Sequence, residues 1–369
     1  MQEKWRKQKV KVKSVDIAKK LNISKATVSL ALNNKPGVSE KTREKVLLCA
    51  EEMNGQKQEQ QRPQESPKMI KIIIVNNKLN VVLNYEMDLW TLAFRVYDAE
   101  SKRIGCTLGI TFVEDNSSDI ERAIEEANGA DVAGVVLFAT EMRQEQFEPF
   151  RRIKKPMIVY DNDLTKEYHC VSIDNVAAVR EAVDYLAVRG CTDIKYLANK
   201  TDIYNFMQRR AGFRAALHKN RLELHSDSVI KIGETIDKVH ENMSRYLDSV
   251  RQRDGSYKLP DAFIMENYQV SVGVIHALQD KGISIPGDIS LIGVDELPPT
   301  SRFENNVRLT TVKIEHAERA RLAMMLLSYE MSRESYEEND RGFRDGKFKS
   351  YCNCEILPGN SVKVLNRYE

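Results

Sequence analysis

The sequence predicts an α/β protein in which a small three-helix head precedes a core of two doubly wound, parallel-sheet subdomains. Three observations carry this. Residues 14–53 hold helical apolar stripes with cap and turn signals. A polar stretch, NGQKQEQQRPQESPK, follows from Asn54 to Lys68. From Met69 onward short apolar runs alternate with amphipathic segments, the pattern of a parallel sheet covered on both faces.

In the head, Ile17, Ala18 and Leu21 form the stripe of a first helix. Ser24 is placed to cap a second helix through Leu32, with Val28, Ala31 and Leu32 turned inward. Asn33-Asn34-Lys35-Pro36-Gly37 is a turn signal. Ser39 caps a third helix, whose stripe is Val46, Leu47, Ala50 and Met53. The stretch from Asn54 to Lys68 has no aliphatic or aromatic residue and contains Pro63 and Pro67, so it reads as a linker. The domains expected are therefore a head at 1–53, a linker at 54–68 and a core at 69–369.

The core's apolar runs lie at 69–75, 106–113, 132–138, 157–160, 193–198, 261–265 and 289–294. Helical segments such as Val176–Arg189, Gln208–Lys219 and Val270–Lys281 separate them. These are too many strands for one tidy sheet, so two subdomains facing a cleft are expected. The expected division is an N-subdomain of about 69–161 plus 294–325 and a C-subdomain of about 162–293 plus 326–369.

The composition, 42% hydrophobic and 30% charged, is that of a globular protein, and no apolar run reaches the length of a membrane span. The first residues, MQEKWRKQKVKVK, lack the apolar segment of a secretory signal, and the six cysteines form no CxxC pair. A cytoplasmic protein with reduced thiols is expected. Net charge is +2, unevenly placed: residues 1–62 carry +8 and the remainder −6. A basic head on an acidic body points to a polyanion as the head's partner.

Asp16-Ile17-Ala18 followed by Ile23-Ser24-Lys25-Ala26-Thr27-Val28-Ser29 has the shape of a helix-turn-helix. Asn22 sits in the tight turn and tolerates positive φ. Ala26 and Ser29 are small enough for close approach to a groove, and Lys25, Thr27 and Ser29 offer donors to phosphates or base edges. The whole stretch Val12–Met53, with TVSLALNNKPGVSEKTREKV at its centre, closely resembles the DNA-binding head of the LacI/GalR family of bacterial transcription regulators. The remaining chain is similar to that family's effector-binding core, itself like periplasmic sugar-binding proteins. AGVVLF, SIDN, RRAGFRAAL, ENYQVSVGVIHAL, GISIPGDISLIGVDE and LTTV carry that likeness.

The resemblance implies that Lys25 and Ala26 read bases. Leu30 falls where many members place a base-reading arginine, and a leucine can touch only a thymine methyl. It implies phosphate contacts for Ser24, Thr27, Ser29, Asn33, Ser39 and Thr42. Members usually carry a short hinge helix with an apolar wedge where this chain has its polar linker. No intercalating wedge is therefore expected, and Pro63 is expected to interrupt a helix.

For the core, the resemblance implies effector contacts by Asp161, Arg209, Asn267 and Asp295. Asp161, Asn267 and Asp295 follow strands at their carboxyl ends, where open α/β sheets bind ligands. Carboxylate, amide and guanidinium groups suit a sugar's hydroxyls. Trp90 is placed either to stack on a sugar or to fill the core. The chain reads Glu266-Asn267-Tyr268 where members often read Ala-Asn-Asp.

The expected function is a homodimeric DNA-binding regulator, a repressor by resemblance, whose affinity for a pseudo-palindromic operator responds to a small polar effector of sugar type. No cofactor, metal or membrane partner is expected. The alternatives are a stand-alone small-molecule binding protein or an α/β enzyme. Against the enzyme stand the lack of a Gly-rich phosphate loop, HExxH or GxSxG, and six histidines without metal-cluster spacing. Cys352 and Cys354 alternate on an apparent strand, 351–357, and are expected to share a face as a core or edge pair.

Overall fold

The computed structural model describes residues 12–61, 67–76, 87–163, 166–295, 297, 303–333 and 346–364; the side chains of 51, 54–61 and 87–90 lie outside the description. The chain divides into two compact units, Met1–Ser66 and Pro67–Glu369.

The first unit contains α1 (Ser14–Leu21), α2 (Lys25–Leu32) and α3 (Glu40–Gln61). Asn22 ends α1 in the left-handed region at φ 51°, as the turn requires. Ile17, Ala18, Val28, Ala31, Val46, Cys49 and Ala50 form the core, with Leu21, Leu32 and Met53 packed against it. One boundary moves. The third helix does not end near Met53 but runs on to Gln61, through half of the expected linker. Gln, Glu and Lys make up 56–61, and such straight-chain residues lose little rotamer freedom in a helix, so a stretch without apolar residues can still be helical. Pro63 and the rest of 62–66 lie outside the described residues.

The second unit begins with β1 (Met69–Asn76), α4 (Met87–Arg103), β2 (Thr107–Glu114), α5 (Ser117–Ala127), β3 (Val132–Phe138), α6 (Gln144–Phe147), β4 (Met157–Tyr160) and β5 (His169–Ile173). It continues with α7 (Asn175–Val188), β6 (Ile194–Asn199), α8 (Tyr204–Lys219), β7 (Val229–Gly233), α9 (Ile236–Val250), β8 (Ala262–Met265), α10 (Tyr268–Asp280) and β9 (Ser290–Val294). It closes with β10 (Thr310–Ile314), α11 (His316–Arg333), β11 (Lys349–Cys352) and β12 (Cys354–Leu357). Two six-stranded sheets result, in the orders β11-β5-β4-β3-β1-β2 and β12-β10-β9-β8-β6-β7. All pairings are parallel except the antiparallel β10–β12 edge. Strand faces such as Ile70, Ile72 and Ile74 against Ile73 and Val75 bury alternate residues under helices on opposite sides, which gives each sheet two apolar layers.

The two lobes are those expected; their boundaries are not. β5, assigned from sequence to the C-subdomain, pairs with β4 in the first sheet. β10, assigned to the N-subdomain, pairs with β9 in the second. The whole of α11 covers the first sheet through Ala320, Ala323, Met324 and Leu327, including the part beyond 325 assigned to the other lobe. Strands of both lobes share one apolar pattern, so composition cannot reveal which neighbour a strand selects. The chain thus crosses between lobes near Asp174, near Glu315 and at Asn353. The third crossing corrects the cysteine reading. Cys352 stands opposite Ile173 in the first sheet and Cys354 opposite Ile314 in the second, so the pair shares no face. All six cysteines are free thiols.

Candidate functional site: an exposed helix and a buried polar cleft

In the head, α2 buries Val28 and Ala31 and leaves Lys25, Ala26 and Ser29 exposed. Ser24 caps it, its Oγ accepting the Thr27 backbone N–H at 3.0 Å and lying 2.8 Å from the Thr27 hydroxyl. Ser39 and Thr42 repeat this at the start of α3, at 3.2 and 2.8 Å. All four hydroxyls are thereby fixed in direction, and each keeps further capacity to donate or accept. Leu30 is half-buried, 3.5 Å from where a Cβ on Gly37 would stand. Gly37 itself sits at φ 113°, a conformation that only glycine adopts without strain. Asn33 turns its amide back on α2, donating to the Ser29 carbonyl at 2.8 Å, so a structural task already engages the group placed on a phosphate. Arg43 donates to the carbonyls of Lys35, at 3.0 Å, and Ala31, and so holds the 33–37 turn against α3.

In the core, four of the five effector candidates converge. Asp161 follows β4 and Asp295 follows β9, at equivalent carboxyl ends of the two sheets. Both are buried and both hold a left-handed backbone, at φ 67° and 79°. Such strain in non-glycine residues gathers at functional sites. Arg209 on α8 is 3% exposed. It donates through Nε to Asn175 Oδ1 at 2.9 Å and through Nη1 to the Glu266 carbonyl at 2.6 Å, and it lies 3.6 Å from Asp295. A close approach of helices makes this possible. A Cβ on Gly212, one turn beyond Arg209, would stand 2.8 Å from the Val176 carbonyl, so α8 packs directly on the start of α7 where Asn175 stands. Asn267 caps α10, accepting the Val270 N–H at 3.2 Å while its amide donates to Gln269. Trp90 falls in α4, but its side chain lies outside the described residues.

Sequence reasoning missed the groups that join these residues. Asn175 donates to Asn205 Oδ1 at 2.8 Å, and Asn205 donates to Asp161 Oδ2 at 3.1 Å, a bond that crosses from the second lobe to the first. Thr140 donates to the same carboxylate oxygen at 2.9 Å. Arg319, 1% exposed on α11, pairs with Asp161 Oδ1, its guanidinium 4.5 Å from the centre of the Tyr160 ring. Burial works against the Arg319 charge, but the Asp161 carboxylate outweighs it and raises the pKa. His316, at the start of α11, is pushed down to about 4, first by burial and then by the Arg319 charge. Glu266 does not reach the cleft: Arg210 holds its carboxylate through two bonds of 2.8 Å. One signal for Arg319 was available. It stands in register with Ala320, Ala323 and Leu327 on the buried face of its helix, where an arginine needs a partner.

Two carboxylates, two guanidiniums and four amides or hydroxyls thus line a junction between lobes, with their charges balanced. The arrangement can hold a small, neutral, hydroxyl-rich molecule; among the described residues no group of His, Cys, Asp and Glu is arranged to hold a metal.

Comparison with known proteins agrees with both halves. Residues 15–55 match the family described as bacterial regulatory proteins, lacI family, and residues 183–342 match a periplasmic binding protein-like domain. The HTH-type transcriptional regulator MalR of Clostridium butyricum is 26% identical over 85% of this chain and 90% of its own length. Catabolite control protein A of Priestia megaterium is 24% identical over 88% and 94%. Among solved structures, a transcriptional regulator CelR–cellobiose complex has a TM-score of 0.66 at 19% identity, covering 94% of this chain and 98% of that one. A lac repressor dimer bound to operator and the anti-inducer ONPF has a TM-score of 0.63 at 17% identity, covering 95% and 99%.

Proposed function

The chain belongs to the LacI/GalR family of bacterial transcription regulators, and from that premise we propose how its own residues bind DNA and effector. Two copies place α2 in successive major grooves of an inverted repeat. Lys25 and Ala26 meet base edges, Leu30 meets a thymine methyl, and Ser24, Thr27, Ser29, Ser39 and Thr42 meet phosphates. Asn33 acts mainly by closing the end of α2, its amide being occupied there.

The effector is a neutral polyhydroxylated molecule, a sugar, bound between the lobes by Asp161, Arg209, Asn267 and Asp295. The observation that carries this reading is the bond from Asn205 to Asp161. A buried carboxylate of one lobe is held by an amide of the other, in a network that also contains Arg209 and Asp295. A ligand hydroxyl in that network replaces interlobe bonds and so favours one relative position of the lobes. By linkage, operator DNA then changes ligand affinity by the same factor.

The test uses the full chain. Selection from random inverted-repeat oligonucleotides should give a site whose affinity falls steeply with salt, and a thermal-shift screen of neutral sugars should find one that alters that affinity. No preference for any selected site over scrambled DNA, with or without sugars, would overturn the reading.

A further inference from the structure

The first lobe carries a second concavity at the pole opposite the cleft. Its place follows from the strand directions. β4 ends beside Asp161 in the cleft and begins at Met157, and α11 runs from His316 in the cleft to Arg333, roughly 25 Å along its axis. At that far end lies a cavity of about 320 Å³ lined by Lys154, Lys155, Met157, Tyr168, Arg333 and Lys347, with Pro156, Glu167 and Glu330. Four cations therefore face two carboxylates, and both carboxylates are already engaged. Glu330 accepts from His169 Nε2 at 3.0 Å, Arg333 Nη1 at 2.9 Å and Lys347 Nζ at 2.5 Å. Glu167 pairs with Arg151, which stands outside the cavity.

Lys154 and Lys155 have no side-chain partner among the described residues; at Lys154 only the backbone N–H is bonded, to Asn128. Two adjacent ammonium groups are left without counter-charge on the wall of a concavity. In the same lining, Glu330 holds Arg333 and Lys347 in place and is itself held by the His169 ring. His169 itself is held by the Phe348 N–H, which donates to its Nδ1 at 2.8 Å. That bond leaves Nε2 as the protonated nitrogen facing Glu330. Arg333 spends one of its guanidinium N–H groups on Glu330 and keeps others for a planar, paired contact.

We propose that this cavity binds a small phosphate-bearing anion, at a site separate from the interlobe cleft and independent of the sugar reading above. A phosphate dianion matches the two unneutralised charges and accepts from ammonium and guanidinium donors together. The half-buried Tyr168 ring, edge-on to Phe147, offers an apolar wall to an organic portion. An open concavity of this volume can seat a small molecule with one side toward solvent, whereas phosphates of a duplex are met by an extended stripe of cations.

The experiment is isothermal titration of the full chain with inorganic phosphate, glucose 6-phosphate and glucose, at an ionic strength held constant with chloride. Both phosphates should bind, the phosphate of the ester or the free ion being the shared determinant. Tighter binding of the ester would add the contact with Tyr168, and equal binding would leave the phosphate as the whole determinant. The Lys154→Ala/Lys155→Ala variant, whose changes lie at the surface and whose unfolding midpoint should stay put, should lose about tenfold or more in affinity for both. Arg209→Ala should leave phosphate binding intact. Undiminished binding by the double-lysine variant, loss of binding in Arg209→Ala, or no binding of either phosphate would each overturn the proposal. So would a variant that loses only affinity for duplex DNA.

Discussion

The head and the cleft solve opposite problems with similar side chains. On α2 the polar groups stand largely in water, while Val28 and Ala31, with Leu32 beside them, tie the helix to its unit. In the cleft Asp161, Arg209, Asp295 and Arg319 are each less than 5% exposed, and every one of them leans on a charged or polar neighbour. An exposed group tolerates a lost partner because water replaces it; a buried one does not. The head can therefore change its reading residue by residue, whereas the cleft stands or falls as a network.

The largest effect expected from that contrast is on stability. Arg319→Met leaves Asp161 buried with a charge that, among the described residues, Thr140 and Asn205 attend. It should cost about 3–5 kcal/mol in urea unfolding of the full chain. Adding Asp161→Leu to Arg319→Met should return much of the loss, since an apolar pair needs no counter-charge. If the double variant is no better than the single one, the network matters through packing and the contrast with the head loses its electrostatic basis.

Next in size is Arg209→Ala. It should remove ligand response and weaken sugar binding by about 2–3 kcal/mol, while affinity for selected operator without sugar stays the same. A variant that still responds normally takes Arg209 out of the site. Of comparable or smaller size is Lys25→Ala, which should cost about 1–3 kcal/mol on the selected site and little on random DNA. Asn33→Ala should weaken all sites alike, and it should also lower the stability of the head by about 0.5–1 kcal/mol because the Ser29 carbonyl loses the side-chain amide and keeps the Asn33 backbone N–H. Equal losses on specific and random DNA from both variants would erase the distinction between base and phosphate positions.

What the sequence made legible follows the range of the interactions. The head was readable almost position by position because caps, turn and stripe are local: Ser24, Asn22 and Ser39 act within four residues of themselves. Even there α3 outran its stripe, since helix propensity continues where the apolar residues end. In the core, strand positions were readable from apolar runs, but lobe membership was not. β5 stays with β4 and β10 stays with β9, each its predecessor in the chain, and nothing in the apolar pattern says whether a strand stays with its predecessor or crosses to the other lobe. The same holds for the site. Asp161, Asn267 and Asp295 were visible as polar residues at strand ends. Arg319 comes from an element 158 residues away from Asp161, and only its intrusion into an apolar stripe hinted at it.

A further test probes the cleft by pH. His316 stands among Arg319, Asp295, Asp161 and Arg209, and burial with the Arg319 charge holds its pKa at about 4. In the unfolded chain a histidine takes its proton near 6.5. Between those values the unfolded state binds more protons, so stability falls as pH drops through that window and is unaffected by this group above it. His316→Gln removes the titration and keeps a polar side chain of similar length. Comparing urea midpoints at pH 7.5 and 5, the variant should lose less than the wild type, by on the order of 1–2 kcal/mol. His169, also lowered chiefly by burial, lies at the other pole beside Glu330, so part of the acid sensitivity should persist in the variant. An unchanged difference between the two pH values would mean that water reaches His316, and that the cleft is wetter at its α11 end than at Arg209.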